Sequence, residues 1–264
     1  MGPMSKTIQE IGGNAIIYSY SNGDWDLVCA AERTFTPKGW EEAFGTESGA
    51  KPRPAARQAG KKAEGEDRLR SMRRARAKLR RLALSNDFDW FVTLTLDPAR
   101  IDRYDPKAIM QTVNRWLDNM VRRHDLRYIL VPEQHKDGAY HFHGFFAGEV
   151  EAVPSGHYDP QGHEFYNLPQ WGYGFTTALR LYGTYSAAVG YVCKYIGKQE
   201  GQRPMGRWYY SGGGLKEPDK LYATLDYRDL TRDFPGEAVE FSIPGTQMVV
   251  IHHRENNEKE QEND

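Results

Sequence analysis

Over residues 90–96 apolar and polar positions alternate, so that Val92, Leu94 and Leu96 share one side of an extended chain and Thr93 and Thr95 the other. A period of two predicts a strand with one face on a core and the threonines towards a polar site. Asp97-Pro98 ends it. The period then lengthens: Ile109, Val113, Trp116, Leu117 and Met120 recur at helical spacing within residues 105–124, with Pro106 at the first turn. Tyr128-Ile-Leu-Val-Pro-Glu133 and Tyr140-His-Phe-His-Gly-Phe-Phe146 read as two strands joined by a hairpin through Asp137-Gly138. Residues 149–170 are loop-like and residues 172–181 form a further strand. Residues 184–199 form a helix with Thr184 or Ser186 as its N-cap. This order of elements predicts an α+β fold, with helices packed on an antiparallel sheet.

The flanking segments pattern differently. Residues 15–20 and 25–30 are short apolar runs around Asn22-Gly23, which predicts a hairpin. Residues 45–66 are rich in Gly, Pro, Ala and Lys and read as a linker. Residues 67–84 are helical in pattern, with Leu69, Met72, Leu79 and Leu82 on one broad side. The expected organisation is an N-terminal extension (1–50), a basic linker and arginine-rich helix (51–85), a catalytic domain (86–251) and a disordered acidic tail (252–264).

Charge sharpens this division. The 264-residue chain has a formal net charge of −1, yet residues 51–85 hold 13 Lys or Arg against 3 acids. Eight of those cations fall in the 14 residues 68–81 with no acid among them, an arrangement that repels itself along a helix. Contact with a phosphate backbone is the expected relief, with Arg73, Arg74, Arg80 and Arg81 as candidates. The two cysteines, Cys29 and Cys193, make neither a disulfide framework nor a zinc pattern. With no apolar run long enough to span a membrane and no leader pattern, a soluble cytoplasmic protein is expected.

Two constellations carry chemistry. On a strand His141 and His143 face the same way, about 7 Å apart, close enough to share one metal ion. Glu133 joins them if it lies directly opposite His141, which requires a hairpin loop of odd length, three or five residues, with Gly138 in a bulged turn. A two-residue turn would instead put Glu133 opposite Phe142, on the wrong face. On the following helix Tyr191 and Tyr195 are four residues apart and share a face, with Lys194 and Lys198 each three residues beyond a tyrosine. Phenols can act as nucleophiles, and lysine can stabilise phosphodiester charge or lower a phenol pKa from about 10.

Together, Phe91-Val-Thr-Leu-Thr-Leu-Asp97, His141-Phe-His-Gly144 and Gly190-Tyr-Val-Cys-Lys-Tyr-Ile-Gly-Lys198 resemble, in order and spacing, the three motifs of the HUH endonucleases. The closest likeness is to the two-tyrosine rolling-circle replication initiators of small single-stranded DNA phages and plasmids. The resemblance covers roughly residues 86–200. It implies a five-stranded antiparallel sheet of ferredoxin-like type with the histidines on central strands. It further implies metal-dependent nicking of a single-stranded DNA origin, alone or presented in a hairpin, through a 5′-phosphotyrosine. Glu133, His141 and His143 would hold Mg²⁺ or Mn²⁺, and Tyr191 and Tyr195 would be the nucleophiles. No helicase motif occurs, so a separate helicase and polymerase are expected. Two alternatives stay open: a single-tyrosine HUH transposase, and a non-catalytic module that binds single strands by stacking. A relaxase would need a third metal histidine, for which no motif was found.

Overall fold

The computed structural model describes residues 13–32, 35, 61–181, 185–196, 198, 203–243 and 246–255. The chain divides into two compact units: Ala59–Glu217, and a second made of Met1–Gln58 together with Pro218–Asp264.

The larger unit is built on an antiparallel sheet. In chain order its elements are α1 (Lys61–Leu84), β3 (Trp90–Thr95), α2 (Pro106–His124), β4 (Arg127–Gln134), β5 (Tyr140–Ala147), β6 (Val153–Tyr158), β7 (Glu164–Asn167), β8 (Thr176–Arg180), α3 (Tyr185–Tyr195) and β9 (Tyr210–Gly212). The strand order is β6-β7-β8-β3-β5-β4-β9. Five of these, β8-β3-β5-β4-β9, form the expected five-stranded antiparallel sheet, with the histidine strand β5 at its centre. A hairpin of β6 and β7 extends it to seven. That hairpin corrects the loop expected over residues 149–170: Val153 pairs with Asn167, Pro154 with Tyr166 and Tyr158 with Glu164 across a bulge. Its strands are largely exposed and lack apolar alternation, so no core face marked them in the sequence.

One face of the sheet is closed by α2. Ile109, Val113, Trp116, Leu117 and Met120 are buried there against Val92, Leu94, Phe142 and Phe146. Each buried aromatic of this kind contributes on the order of 1.5–3 kcal/mol through removal from water. The helix is well terminated. The Asp105 carboxylate accepts from Lys107 N at 2.8 Å and Ala108 N at 3.3 Å, Pro106 stands where no N–H is needed, and Asp125 turns left-handed (φ 47°) at the C-terminal end. The opposite face carries α3, and α1 packs on α3. Leu79 and Leu82 are buried as expected, whereas Leu69 is exposed. α1 starts at Lys61, inside the stretch read as linker, and belongs to the same compact unit as the sheet.

The second unit is a five-stranded antiparallel sheet, ordered β10-β1-β2-β12-β11, from β1 (Ala15–Ser19), β2 (Trp25–Ala30), β10 (Asp219–Ala223), β11 (Glu237–Ile243) and β12 (Thr246–His253), with a short helix α4 (Leu230–Asp233). β1 and β2 form the hairpin expected around Asn22-Gly23, with Ala15 opposite Cys29. Their partners come from the other end of the chain: Ala15 also pairs with Ala223, and Val249 pairs with Cys29. Residues 218–251 therefore do not extend the sheet of the larger unit, and the tail expected from residue 252 begins instead with the last two residues of β12. Residues 256–264 lie outside the described residues. Strand pairing across some two hundred residues leaves no periodic trace, so the sequence could not assign these strands to a sheet.

Candidate active site

The site is assembled by strand register. Glu133 pairs with His141 and Val131 with His143 between β4 and β5, while Thr95 pairs with His141 and Thr93 with His143 between β3 and β5. Directly opposed residues share a face, so one row carries Glu133, His141 and Thr95, and the next His143 and Thr93. The turn that sets this register is the bulged one the metal reading needs: His135 N donates to Ala139 O at 2.8 Å, Gly138 N donates to His135 O at 2.9 Å, and Gly138 has φ 90°. Gly144, just after the second histidine, lies so close to β4 that a Cβ would stand 1.8 Å from Ile129 O. Any side chain there would push apart the two strands that carry the site.

Thr93 Oγ1 lies 3.0 Å from His143 Nδ1, and Thr95 Oγ1 lies 3.3 Å from His141 Nδ1. His143 Nε2 donates to Glu133 Oε2 at 2.7 Å, and Lys198 Nζ donates to Glu133 Oε1 at 2.6 Å. Burial pushes the His143 imidazole below its ordinary pKa, although Glu133 pulls the other way. His141 falls to about 4 through burial, reinforced by the neighbouring His135 and His143. For Glu133 burial acts upward, but the bonds from Lys198 and His143 outweigh it and hold the carboxyl below its usual range. At neutral pH the set is thus one carboxylate and two uncharged imidazoles.

Among the described residues no three His, Cys, Asp or Glu side chains stand converged as a metal centre, and the Glu133 carboxylate is bonded to His143 and Lys198. The donor chemistry nevertheless fits a divalent cation. Ligand imidazoles must be neutral and are ordinarily oriented through the other ring nitrogen. Each threonine hydroxyl can donate to Nδ1 or accept its proton, so Nε2 of both rings can be released to an ion. Carboxylate with imidazole suits Mg²⁺ or Mn²⁺ and also zinc.

A third imidazole was missed in the sequence. His135 stacks on His141, with ring centroids 3.9 Å apart, and its Nε2 lies 3.9 Å from Glu133 Oε2. The alternation that pairs His141 with His143 also pairs Glu133 with His135, and that signal was available. Among the described residues His135 does not converge with Glu133 and the two strand histidines into a group that could hold a metal ion.

The tyrosines arrive on α3. Tyr195 is buried, its ring lying flat on His143 at 4.0 Å and 11°, with Lys198 Nζ 4.6 Å from the ring centre on a cation–π contact. Tyr191 is 49 % exposed and stands edge-on to Phe91. The two hydroxyls meet, Tyr195 donating to Tyr191 at 2.8 Å. Burial raises the Tyr195 phenol well above its ordinary pKa, and its hydrogen bond to Tyr191 adds to this. The helix ends at Tyr195, earlier than expected, so Lys198 lies beyond it and reaches Glu133 instead of repeating the Tyr191–Lys194 relation. Lys194 is exposed. Ser186 lies inside the helix and is not its N-cap, while Thr184 lies outside the described residues.

The basic helix is more than a charged arm. Arg76 donates to Cys193 O at 3.1 Å and to Ile196 O at 2.5 Å, capping the C-terminal end of α3 where carbonyls lack partners. Arg80 lies near enough to lower the Cys193 thiol, against the stronger upward pull of burial. Part of the like-charge repulsion read from the sequence is thus relieved within the fold. Of the four arginines expected on nucleic acid, Arg73 and Arg74 are exposed and Arg80 and Arg81 half-buried. The roles separate by substitution. Arg76→Ala should lower stability by about 1–3 kcal/mol and slow the chemistry of α3, whereas a double Arg73→Ala, Arg74→Ala variant should keep stability and lose salt-dependent DNA affinity. Urea unfolding and oligonucleotide titrations at several salt concentrations measure both, and equal stability of all three proteins would remove the capping role of Arg76.

Two histidines on a central strand, a carboxylate opposite the first of them and a helix with paired tyrosines are what the HUH-type motifs imply. Residues 89–200 match the family model described as Replication-associated protein ORF2/G2P, the model of a HUH-type replication-initiator domain. No match was found among curated proteins or among solved structures. No helix among the described residues is long and apolar enough to cross a membrane.

Proposed function

We propose that this protein nicks single-stranded DNA at a replication origin and transfers the strand through a 5′-phosphotyrosine, initiating rolling-circle replication in the cytoplasm. The observation that carries this is the stacking of the Tyr195 ring on His143, which is itself bonded to Glu133, with the Tyr195 hydroxyl bonded to that of Tyr191. Glu133, His141 and His143 are the residues that would hold Mg²⁺ or Mn²⁺, which when bound supplies Lewis-acid polarisation of the scissile phosphate. Tyr191 Oη attacks phosphorus and gives up its proton to water, the Tyr191 O–P bond forms, the P–O3′ bond breaks and the departing O3′ takes up a proton from water. The energy of the phosphodiester stays in the protein linkage, so attack by a 3′-hydroxyl rejoins DNA without a nucleotide cofactor.

Lys198 contributes positive charge beside the reacting phosphate and holds Glu133 in its ionised form. Tyr195, close behind Tyr191, is suited to a second cleavage when the circle closes. Arg73 and Arg74 add sequence-independent affinity for the phosphate backbone, and unwinding and synthesis fall to a separate helicase and polymerase. The single-tyrosine alternative is favoured by one observation, the burial of Tyr195 against His143.

Incubation with a pool of single-stranded oligonucleotides and Mn²⁺, followed by intact-mass analysis, should give a covalent protein–DNA adduct that chelation abolishes. Binding without any adduct in Mn²⁺ would leave a stacking module in place of an enzyme.

A further inference from the structure

The register row that builds the site does not stop at Thr95. Thr95 N donates to Phe175 O at 2.9 Å, and Leu94 pairs with Thr176 in the same ladder. Phe175 therefore stands beside Thr95, opposite the side on which His141 stands, in one cross-strand line that runs Glu133, His141, Thr95, Phe175. Residues opposed in an antiparallel ladder share a face, so the Phe175 ring rises on the face of the catalytic residues. Two strand spacings put it about 10 Å from His141.

Its exposure is what makes this position unusual. Phe175 is 73 % exposed, the highest among the large apolar residues left open to water. Its neighbour Thr176 is fastened the other way, accepting from Leu168 N at 2.7 Å, and Thr177 two residues on is exposed on the same face as Phe175. An aromatic ring at the open end of a row of phosphate-directed groups, with polar side chains beside it, matches the way single strands are held, with backbone on charge and bases on π-faces.

We propose that Phe175 is a stacking platform for a base next to the scissile phosphate, so that the β8 end of this row sets where the strand lies across the site. The inference rests on the reading of this face as a single-strand nuclease site. A base seated on Phe175 anchors the strand at one end of the row while the phosphate lies over His141 and His143 at the other. The contact has no hydrogen-bonding pattern and tolerates any base.

The test is a fluorescence-anisotropy titration of labelled oligo(dT) in chelator, where no chemistry occurs, with the full chain as wild type and as Phe175→Ala, Phe175→Leu and Phe175→Trp. Loss of one base–aromatic stack should weaken binding by roughly 5- to 150-fold in the Ala variant. The Leu variant, apolar but without a π-face, should be weakened as well, and Trp should restore affinity. On an oligomer of abasic sites all four proteins should bind alike. Undiminished binding by Phe175→Ala, wild-type binding by Phe175→Leu, or an equal loss on the abasic oligomer would overturn the proposal, the second outcome indicating a general apolar contact. The nicking reading fails separately, through absence of a wild-type adduct in Mn²⁺, and that result leaves the oligo(dT) comparison intact.

Discussion

Tyr191→Phe should abolish the covalent adduct on a cleavable single strand, and Tyr195→Phe should keep it at a reduced rate. The two phenols are four residues apart and look equivalent in sequence, but their surroundings differ. Tyr191 is half exposed and can meet an incoming phosphate; Tyr195 is buried, flat against His143. Tyr195 donates its hydroxyl to Tyr191, and burial raises the Tyr195 phenol well above its ordinary pKa, which disfavours it as the attacking group. Removing the Tyr195 hydroxyl deletes one hydrogen bond to the Tyr191 oxygen, about 0.5–1.5 kcal/mol, or a slowing of roughly two- to tenfold. Circle closure, which needs a second nucleophile, should suffer further. Adduct yields from the two single variants and the double variant decide the order. Equal yields from both single variants would mean that the phenols alternate, and loss in Tyr195→Phe alone would reverse the assignment.

His143→Ala should remove cleavage while sparing most of the affinity for single-stranded DNA. His143 joins three groups of the site: Glu133 through Nε2, Thr93 through Nδ1 and Tyr195 through its ring. The exposed cations Arg73 and Arg74 lie on α1 and are untouched by the change. A gentler variant separates ligand from scaffold. Thr93→Val keeps the shape of the side chain but cannot orient Nδ1, and loss of such a partner costs about 10- to 100-fold in metal affinity. Calorimetric titration with Mn²⁺ measures this directly. Retained cleavage by His143→Ala would remove it from the ligand set, and an unchanged Mn²⁺ affinity in Thr93→Val would mean that the threonine serves packing alone.

Much of the candidate site was legible because it depends on local rules. Alternation along β3 and β5 places Thr93, Thr95, His141 and His143 on common faces whatever surrounds them. A hairpin loop of odd length puts Glu133 opposite His141, and helical spacing sets Tyr191 above Tyr195. The amphipathic pattern of α2 likewise marked its five core residues, since each must leave water on the same side of the helix.

Other features were decided only when distant parts of the chain met. β10 and β12 join the N-terminal hairpin, and the β6–β7 hairpin extends the sheet of the larger unit, through backbone hydrogen bonds that are indifferent to side-chain type. Arg76 reads in sequence as one more cation among eight, and becomes a cap because the end of α3 arrives beside it with unpartnered carbonyls. Lys198 turns to Glu133 because the helix stops short of it, and Phe175 gains its place only from the ladder between β8 and β3. By itself the sequence determined which residues share a face within an element, because covalent geometry sets those periods. Which elements lie side by side, and hence which carbonyl, carboxylate or ring each side chain finds, was decided by the tertiary structure, because contacts between distant segments depend on the packing of the whole unit.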